Sequence, residues 1–352
     1  MLLYISEDTF STASNAHSSQ AIRMALSSRQ MGFSRLLVAP RAIESAIAAG
    51  VDPDLVEALN LVQRGWLEGQ GLLNNLTRVV SLVSDEDRHG NVVGNIYEVY
   101  VGHAANDKTF NEPAFVTENM NVDARLLTIY LAWGLNITSG ELNRIWSVRP
   151  DLGGGDTIKT YANRYIARPE PTLIVCDRDS ASLPAYGDTA KNCIGEVVRS
   201  ALFPCRPSTI SGGFSPNRAN FAFELHKCWS IENLIFPEML DIYFKEVKPD
   251  QSSLDRRSAI LSTFPSFPLL SDDDAEKWLG TNLRKLPDYE GKAVVTSGCI
   301  VRLLDWADRE DQNAVMLRSA FTRSQAIPAF QGSISSLTKT LIALGVRDQS
   351  LF

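Results

Sequence analysis

Cysteine and histidine are scarce in this chain of 352 residues, which contains five of the former and four of the latter. The cysteines are widely scattered, and no C-x-x-C pair occurs. A zinc ribbon or a dithiol redox site needs such pairs, so we predict neither. Scattered, unpaired cysteines are typical of reduced and buried residues, and we therefore predict a cytoplasmic location.

Long apolar runs and an excess of basic residues are also absent. No segment reaches the ~18 consecutive apolar residues that a membrane span needs, and the first residues, MLLYISEDTF, resemble a strand more than a secretory signal. Acidic residues outnumber basic ones by 41 to 34, for a net charge of -7. Because a protein held to nucleic acid by its overall field is normally basic, binding here would require a local basic patch or bound metal cations.

What is present is an ordinary globular composition, 44% hydrophobic and 21% charged, which excludes a disordered chain. At a prior of roughly one domain per 150 residues, two or three domains are expected. We predict an N-terminal α/β domain at 1–110, a metal-binding domain at 111–248 and a helical C-terminal region at 249–352. The polar stretch before Pro113 marks the first boundary.

Strands and helices alternate with short turns after Pro113, which predicts a mostly parallel sheet flanked by helices. In the N-terminal domain, the turn Arg88–Asn91 predicts a hairpin between strands at Val79–Val83 and Asn91–Val101. The strands predicted for the second domain are Ala114–Thr117, Ile145–Val148, Thr172–Cys176 and Ala222–Lys227. The fold class is therefore α/β, with helices alone after about Pro249.

Acidic residues follow three of these strands. Glu118 ends the first strand, Asp177 and Asp179 form a D-x-D after the third, and Glu232 follows the fourth. In open α/β sheets, ligands bind beyond the carboxyl ends of the strands, so these acids are expected at one sheet edge. Mg²⁺ prefers such oxygen ligands, and two ions about 3.5–4 Å apart can clamp the oxygens of a phosphodiester displacement. Bound cations would also let an acidic protein bind a polyanion.

The order of these residues resembles the Toprim domain of topoisomerases, DnaG-type primases and OLD-family nucleases. That domain has a glutamate after its first strand, a glycine-containing turn after its second and a D-x-D after its third. Here these places are taken by Glu118, by Gly153-Gly154-Gly155 and by Asp177-Arg-Asp179. Trp229-Ser-Ile-Glu232-Asn233 is similar to the "EN" motif of the DUF4435 group of Toprim-like proteins. The resemblance covers roughly residues 113 to 240.

The resemblance implies a Toprim-like core and a nuclease that uses Mg²⁺ or Mn²⁺, with two ions. Glu118, Asp177, Asp179 and Glu232 would be the catalytic metal ligands, Asp123 a secondary candidate, and Glu118 a general base. It also implies a prokaryotic antiphage role beside a separate ATPase, and this chain itself has no G-x-x-x-x-G-K-[ST] motif. Assembly into a homo-oligomer is a further possibility that the sequence leaves open.

The family pattern differs from this chain at three points. Asn119 follows Glu118 where the family usually has glycine, and Asp123 lies five residues after Glu118 where an acid usually lies four after. A lysine near the glutamate is missing, and Lys159 or Arg178 are candidates to replace its charge. We predict that nucleic acid contacts Arg149, Lys159, Arg164 and Arg178.

Three other interpretations remain open. A non-catalytic Toprim-like module would bind nucleic acid or a partner without cutting. A haloacid-dehalogenase-like phosphatase would use Asp177 as nucleophile and Asp179 as acid/base, although the acids at Asp272–Asp274 precede Val294–Ser297 in the wrong order for that family. A glycosyltransferase would use the D-x-D to hold a metal and a sugar nucleotide.

Overall fold

Two parallel sheets organise the protein, whose structure is a computed structural model. It describes residues 1–76, 78–106, 108–152, 154, 158, 160, 164, 171–180, 187–188, 190–192, 205–207, 214–216, 221–225, 228–286, 293–309 and 312–347. We number the elements along these residues.

The described strands lie in the first two thirds of the chain. They are β1 (Leu2–Ile5), β2 (Arg35–Val38), β3 (Val79–Val83), β4 (Val92–Val93), β5 (Ile96–Tyr100), β6 (Ala114–Thr117), β7 (Arg149–Leu152), β8 (Thr172–Cys176), β9 (Cys205–Pro207), β10 (Phe214–Pro216) and β11 (Phe221–Leu225).

Helices surround these strands and make up the C-terminal region. They are α1 (Asn15–Gln30), α2 (Ala42–Ala48), α3 (Pro53–Gln63), α4 (Trp66–Asn75), α5 (Val101–Asn106), α6 (Arg125–Gly134), α7 (Ser139–Ile145), α8 (Pro237–Ile242), α9 (Gln251–Thr263), α10 (Asp272–Leu279), α11 (Ser297–Ala307), α12 (Gln312–Ser324) and α13 (Pro328–Gly345). Among the described helices, none combines the length and hydrophobicity that crossing a lipid bilayer requires. The α/β fold class and the helical C-terminal region are confirmed.

The first sheet has the strand order β2-β1-β3-β5-β4 and is parallel except at its last pair. The predicted hairpin between β3 and β5 is therefore wrong, because those two strands run parallel. A hairpin does form, but it joins β4 to β5 through Gly94 and Asn95. Gly94 has a φ of 65°, a left-handed conformation that glycine adopts at little cost and that a two-residue hairpin loop requires.

The second sheet has the order β11-β8-β6-β7, and all its neighbouring strands are parallel. The strand predicted at Ile145–Val148 is misplaced. A capping box between Thr138 and Glu141 begins α7, which continues to Ile145, so the strand starts only at Arg149. The remaining predicted strands of this sheet are found within a residue or two.

The apolar cores follow the sheets. One core lies within the first 110 residues and includes Leu3, Ile22, Val80 and Phe110. A second, larger core joins residues of the second sheet, such as Phe115 and Leu173, to residues of the C-terminal helices, such as Trp278. The helical region therefore shares a core with the second sheet, and this contact brings C-terminal residues to that sheet's edge.

Candidate functional site

The predicted acids meet at the carboxyl edge of the second sheet. Glu118 directly follows β6, Asp177 directly follows β8, and Glu232 lies in a 3-10 turn, Ile231–Leu234, after β11. Because these three strands are adjacent and parallel, their carboxyl ends open onto the same crevice. Strand topology alone thus brings together residues that are far apart in the chain.

Hydrogen bonds connect these strand ends directly. One carboxylate oxygen of Glu118 accepts the N–H of Asp177 at 3.3 Å and the thiol of Cys176 at 3.5 Å. The Asp177 carboxylate in turn accepts the N–H of Ile231 at 3.0 Å. Ile231 immediately precedes Glu232, so β6, β8 and the turn after β11 are joined through the acidic side chains themselves.

The two aspartates of the D-x-D have different surroundings. Asp177 is buried, whereas Asp179 is exposed and has a φ of 52°. Aspartate tolerates this left-handed conformation better than most residues. The N–H of Asp179 donates to the carbonyl of Trp229 at 2.9 Å, and a side chain at Gly187 would overlap the Asp179 side chain. The turn that aims Asp179 therefore requires glycine at position 187.

Asp123 lies beside this cluster, on an irregular helical turn, Met120–Ala124, that precedes α6. Its carboxylate accepts the N–H of Asn119 at 2.8 Å, and the residue is 6% exposed. The turn therefore folds Asp123 back toward the end of β6, where Glu118 lies.

Burial is the main electrostatic feature of the cluster. It raises the pKa of Asp177 well above the ordinary range, and the neighbouring Glu118 and Asp123 carboxylates add to the effect. Burial and the charges of Glu232 and Glu118 raise the pKa of Asp123 to about 7, against the N–H of Asn119, which favours the charged form. Burial likewise raises the pKa values of Glu118 and Asp179. Such a cluster must hold protons or attract a cation.

Arg284 is the site residue that the sequence analysis missed. Its Nε donates to Oε1 of Glu232 at 2.8 Å, and its Nη2 forms a second, short contact with the same oxygen. The Glu232 side chain is 3% exposed, while that of Arg284 is 59% exposed. The other oxygen of Glu232, Oε2, is buried without a hydrogen-bond partner among the described residues. Arg284 thus covers the site from the solvent side.

Asn233 explains how Arg284 reaches the site. Its side-chain N–H groups donate to the carbonyls of Trp278, at 2.5 Å, and Thr281, at 2.8 Å. Its Oδ1 accepts the N–H of Ser230 at 3.0 Å, and its carbonyl accepts the indole N–H of Trp278. The Glu-Asn pair therefore has two roles: Glu232 faces the site, and Asn233 attaches the segment that carries Arg284.

The glycine-rich turn after β7 is only partly described. The N–H of Gly154 donates to the carbonyl of Glu118 at 3.1 Å, and Gly154 has a φ of 60°. Gly153 and Gly155 lie outside the described residues. The turn thus contacts the backbone of the first site residue.

The described basic residues that were predicted to bind nucleic acid do not lie together. Arg149 begins β7 and pairs with Ala114 at the amino ends of the strands, on the opposite edge from the acids. Arg178 is 4% exposed and donates to the carbonyl of Ser180, so it is not open to a nucleic acid backbone. A nucleic-acid contact at these two residues remains a prediction. Arg164 is exposed on a helix, and Lys159 lies outside the described residues.

The donor set suits a hard divalent cation, because the clustered groups are carboxylates and one buried oxygen, Oε2 of Glu232, lacks a partner. In the part of the chain that the structure describes, however, no group of three or more histidine, cysteine, aspartate or glutamate side chains is arranged to hold a metal ion. The residue types thus suit Mg²⁺ or Mn²⁺, but their side chains would have to move to hold either ion.

Comparison of the chain with protein-family models, with curated proteins and with solved structures gives no match.

Proposed function

We propose that this protein is a nuclease that hydrolyses phosphodiester bonds with the help of Mg²⁺ or Mn²⁺. The observation that carries the proposal is the set of carboxylates, three of them buried, at the carboxyl edge of one parallel sheet. Buried carboxylates with raised pKa values cluster at functional sites, where their cost to folding is offset by a catalytic or binding role. The order of the residues along the chain, which resembles the Toprim domain, supports the same proposal.

Each acid has a role that follows from its surroundings. Glu118, Asp177 and Asp179 would hold a cation, and Glu232 would contribute its unpartnered oxygen at a second position. Asp123, with its pKa raised to about 7, suits proton transfer near neutral pH. Glu118 is the other candidate for general base. A bound divalent cation would neutralise the carboxylates, polarise the phosphate and promote ionisation of the attacking water.

The net negative charge of the chain is compatible with a polyanionic substrate if divalent cations bind at the acidic edge. With the cations bound, the edge of the sheet no longer repels phosphate, and Arg284 adds a positive group at its rim. A role in antiphage defence, a separate ATPase partner, self-association and a cytoplasmic location rest on the sequence alone, and they remain predictions.

The test is a cleavage assay on plasmid, single-stranded DNA and tRNA, with and without Mg²⁺ or Mn²⁺. The variant Asp177→Asn keeps the size of the side chain and removes its charge, and Asp273→Asn, on the exposed first turn of α10, is the matched control. We expect cleavage by the wild type and by Asp273→Asn only with metal, and none by Asp177→Asn. Equal activity of all three proteins would contradict the proposal.

A second candidate function is a binding module without catalysis. It is favoured by the observation that the described acids are not yet arranged as a finished metal site. Such a module would retain an oligonucleotide in a binding assay and leave it intact at every metal concentration.

The phosphatase alternative has less support. Asp177 is 5% exposed, and one of its carboxylate oxygens accepts the N–H of Ile231. A nucleophile must instead reach the substrate phosphate. Release of phosphate from p-nitrophenyl phosphate, lost in Asp177→Asn, would revive this alternative.

A further inference from the structure

The ion pair between Arg284 and Glu232 is asymmetric. Arg284 uses two N–H groups, on Nε and Nη2, and both go to one oxygen of Glu232. The second oxygen of Glu232 is buried without a partner in the described part of the chain. A guanidinium has five N–H groups. The contact with Glu232 uses Nε and Nη2, and it does not use Nη1.

The two members of the pair also differ in exposure. Glu232 is nearly inaccessible, while more than half of the Arg284 side chain faces solvent. A buried carboxylate that loses its partner is left at a high free-energy cost. An exposed guanidinium, by contrast, can turn to another anion with little loss. The pair can therefore open when another anion binds the guanidinium and a cation replaces it at Glu232.

The location of Arg284 allows such a movement. It lies on a single 3-10 turn, Leu283–Lys285, and its own N–H donates to the side chain of Asn282 at 3.1 Å. The residues just before this turn are fixed, because Asn233 binds the carbonyls of Trp278 and Thr281. The base of the segment is thus anchored, and the mostly exposed arginine side chain extends from it to Glu232.

From this geometry we infer that Arg284 couples substrate binding to occupancy of the second metal position. This inference rests on the proposed function. Without substrate, the guanidinium neutralises Glu232 and disfavours a second divalent cation beside it. A substrate phosphate, whose anionic oxygens bind guanidinium well, draws Arg284 away from Glu232. Glu232 is then available to a cation, so the phosphodiester and the second cation bind together.

This coupling has a chemical advantage for a nuclease. A site that holds its full complement of cations only when a phosphodiester is present is competent for hydrolysis only when its substrate is bound. By linkage, the cation must raise the affinity for the phosphodiester by the same factor as the phosphodiester raises the affinity for the cation.

The test counts bound Mn²⁺ by electron paramagnetic resonance of the free ion, with and without a phosphorothioate oligonucleotide that resists hydrolysis. DNA and RNA forms are both used, the oligonucleotide alone is subtracted, and an uncharged methylphosphonate form controls for contacts other than charge. For the wild type we expect one Mn²⁺ to bind without oligonucleotide. With the oligonucleotide we expect a second Mn²⁺ to bind, about tenfold more tightly than this second ion binds in its absence.

Two variants isolate the role of Arg284. Arg284→Gln is expected to bind the second Mn²⁺ with equal affinity in the presence and absence of oligonucleotide. Lys285→Gln removes the neighbouring exposed charge and should behave as the wild type. Melting curves establish that both variants are folded.

The outcomes separate this inference from the proposed function. If Arg284→Gln shows the same dependence on oligonucleotide as the wild type while both bind Mn²⁺, the coupling role is overturned and the proposed function survives. If the wild type binds no Mn²⁺ under any condition, the two fail together.

Discussion

The two parallel sheets present the same kind of edge, yet they balance its charge in different ways. At the N-terminal sheet, Arg88 pairs with Asp8 at 2.9 Å and with the buried Glu98. At the second sheet, Glu118, Asp123, Asp177, Asp179 and Glu232 lie close enough to affect one another, and Arg284 pairs with Glu232. In the first sheet the buried Glu98 has an ion-pair partner within the fold, whereas the edge of the second sheet carries an excess of negative charge.

Hydroxyl groups strengthen this contrast. In the N-terminal sheet the crevice between β1 and β3 is closed by protein groups: the Thr9 hydroxyl donates to the carbonyl of Leu82 at 2.7 Å, and the Ser14 hydroxyl donates to that of Ser84 at 3.0 Å. In the second sheet a buried oxygen of Glu232 is left without a partner among the described residues. A parallel sheet therefore provides a place for a ligand, and the balance of charge at its edge indicates whether one is expected.

The largest expected effect comes from the same substitution at the two edges. Glu118→Gln removes a predicted metal ligand, and we expect metal-dependent cleavage to fall by ~100-fold or more, since even groups that only support metal ligands cost 10–100-fold. Glu98→Gln at the N-terminal edge should leave the rate within about twofold. Comparable losses in both variants, measured with the same oligonucleotide, would show that the difference in charge balance has no functional meaning.

The next effect concerns the attachment of the helical region to the second sheet. Asn233→Ala leaves the buried carbonyl of Trp278 and the partly buried carbonyl of Thr281 without their donor, and we expect a loss of about 3 kcal/mol in the free energy of unfolding. Asn282→Ala removes only an exposed cap and should cost about 1 kcal/mol or less. Urea denaturation measures both, and a smaller loss in Asn233→Ala than in Asn282→Ala would refute the role assigned to Asn233.

The pH dependence of stability tests the charge of the acidic edge. The pKa of Asp123 is raised to about 7 in the fold, above its value of ~3.9 in an unfolded chain. The folded protein therefore binds more protons between these values, and stability without metal should fall as the pH rises from about 4 to 7. Below pH 4 the group is protonated in both states, so its destabilising effect is absent.

Asp123→Asn removes this titration while it keeps an oxygen for the N–H of Asn119. We expect the variant to melt at a higher temperature than the wild type at pH 8, by roughly 5 °C, and at nearly the same temperature at pH 4. A variant that is less stable than the wild type at pH 8 would contradict the assignment of a raised pKa to this residue.

A smaller effect is expected at the ion pair between Arg88 and Glu98 in the N-terminal sheet. Arg88→Met leaves Glu98 buried without its ion pair, and because Arg88 is itself about one third exposed, we expect a loss of about 1–2 kcal/mol. The double variant with Glu98→Gln should regain most of that loss. Failure of the second substitution to restore stability would mean that Arg88 acts through packing instead of charge.

The smallest effect is expected for Arg149, at the opposite edge of the second sheet. Arg149→Gln should change the affinity for a single-stranded oligonucleotide by less than about twofold, because Arg149 lies at the edge opposite to the acids. The loss of a phosphate contact would also reduce the salt dependence of binding. A clear change in the salt dependence of binding would place nucleic acid at the amino ends of the strands.

The sequence was sufficient to predict much of the second sheet and its acids. Glu118 and Asp177 directly follow short apolar runs, and the carboxyl ends of parallel strands meet at one edge whatever the details of packing. The boundaries of β7 were less predictable, because the capping box at Thr138 extends a helix into apolar residues that are equally compatible with a strand.

Arg284 could not be predicted, and the reason is physical. Its pairing with Glu232 depends on how the helical region docks on the second sheet, through contacts such as those of Asn233 with Trp278 and Thr281. No local pattern of residues 283–285 indicates a site role. The burial of Arg178 likewise depends on tertiary packing that no local pattern shows.

Anomalous diffraction from crystals soaked in Mn²⁺ tests the central claim most directly. The account predicts a peak at the carboxyl edge of the second sheet, within about 2.0–2.3 Å of oxygens of Asp177 and Glu118 or Asp179, and none at the edge where Arg88 binds Glu98. A peak at the N-terminal edge alone, or an empty second edge in crystals that bind Mn²⁺ elsewhere, would contradict it.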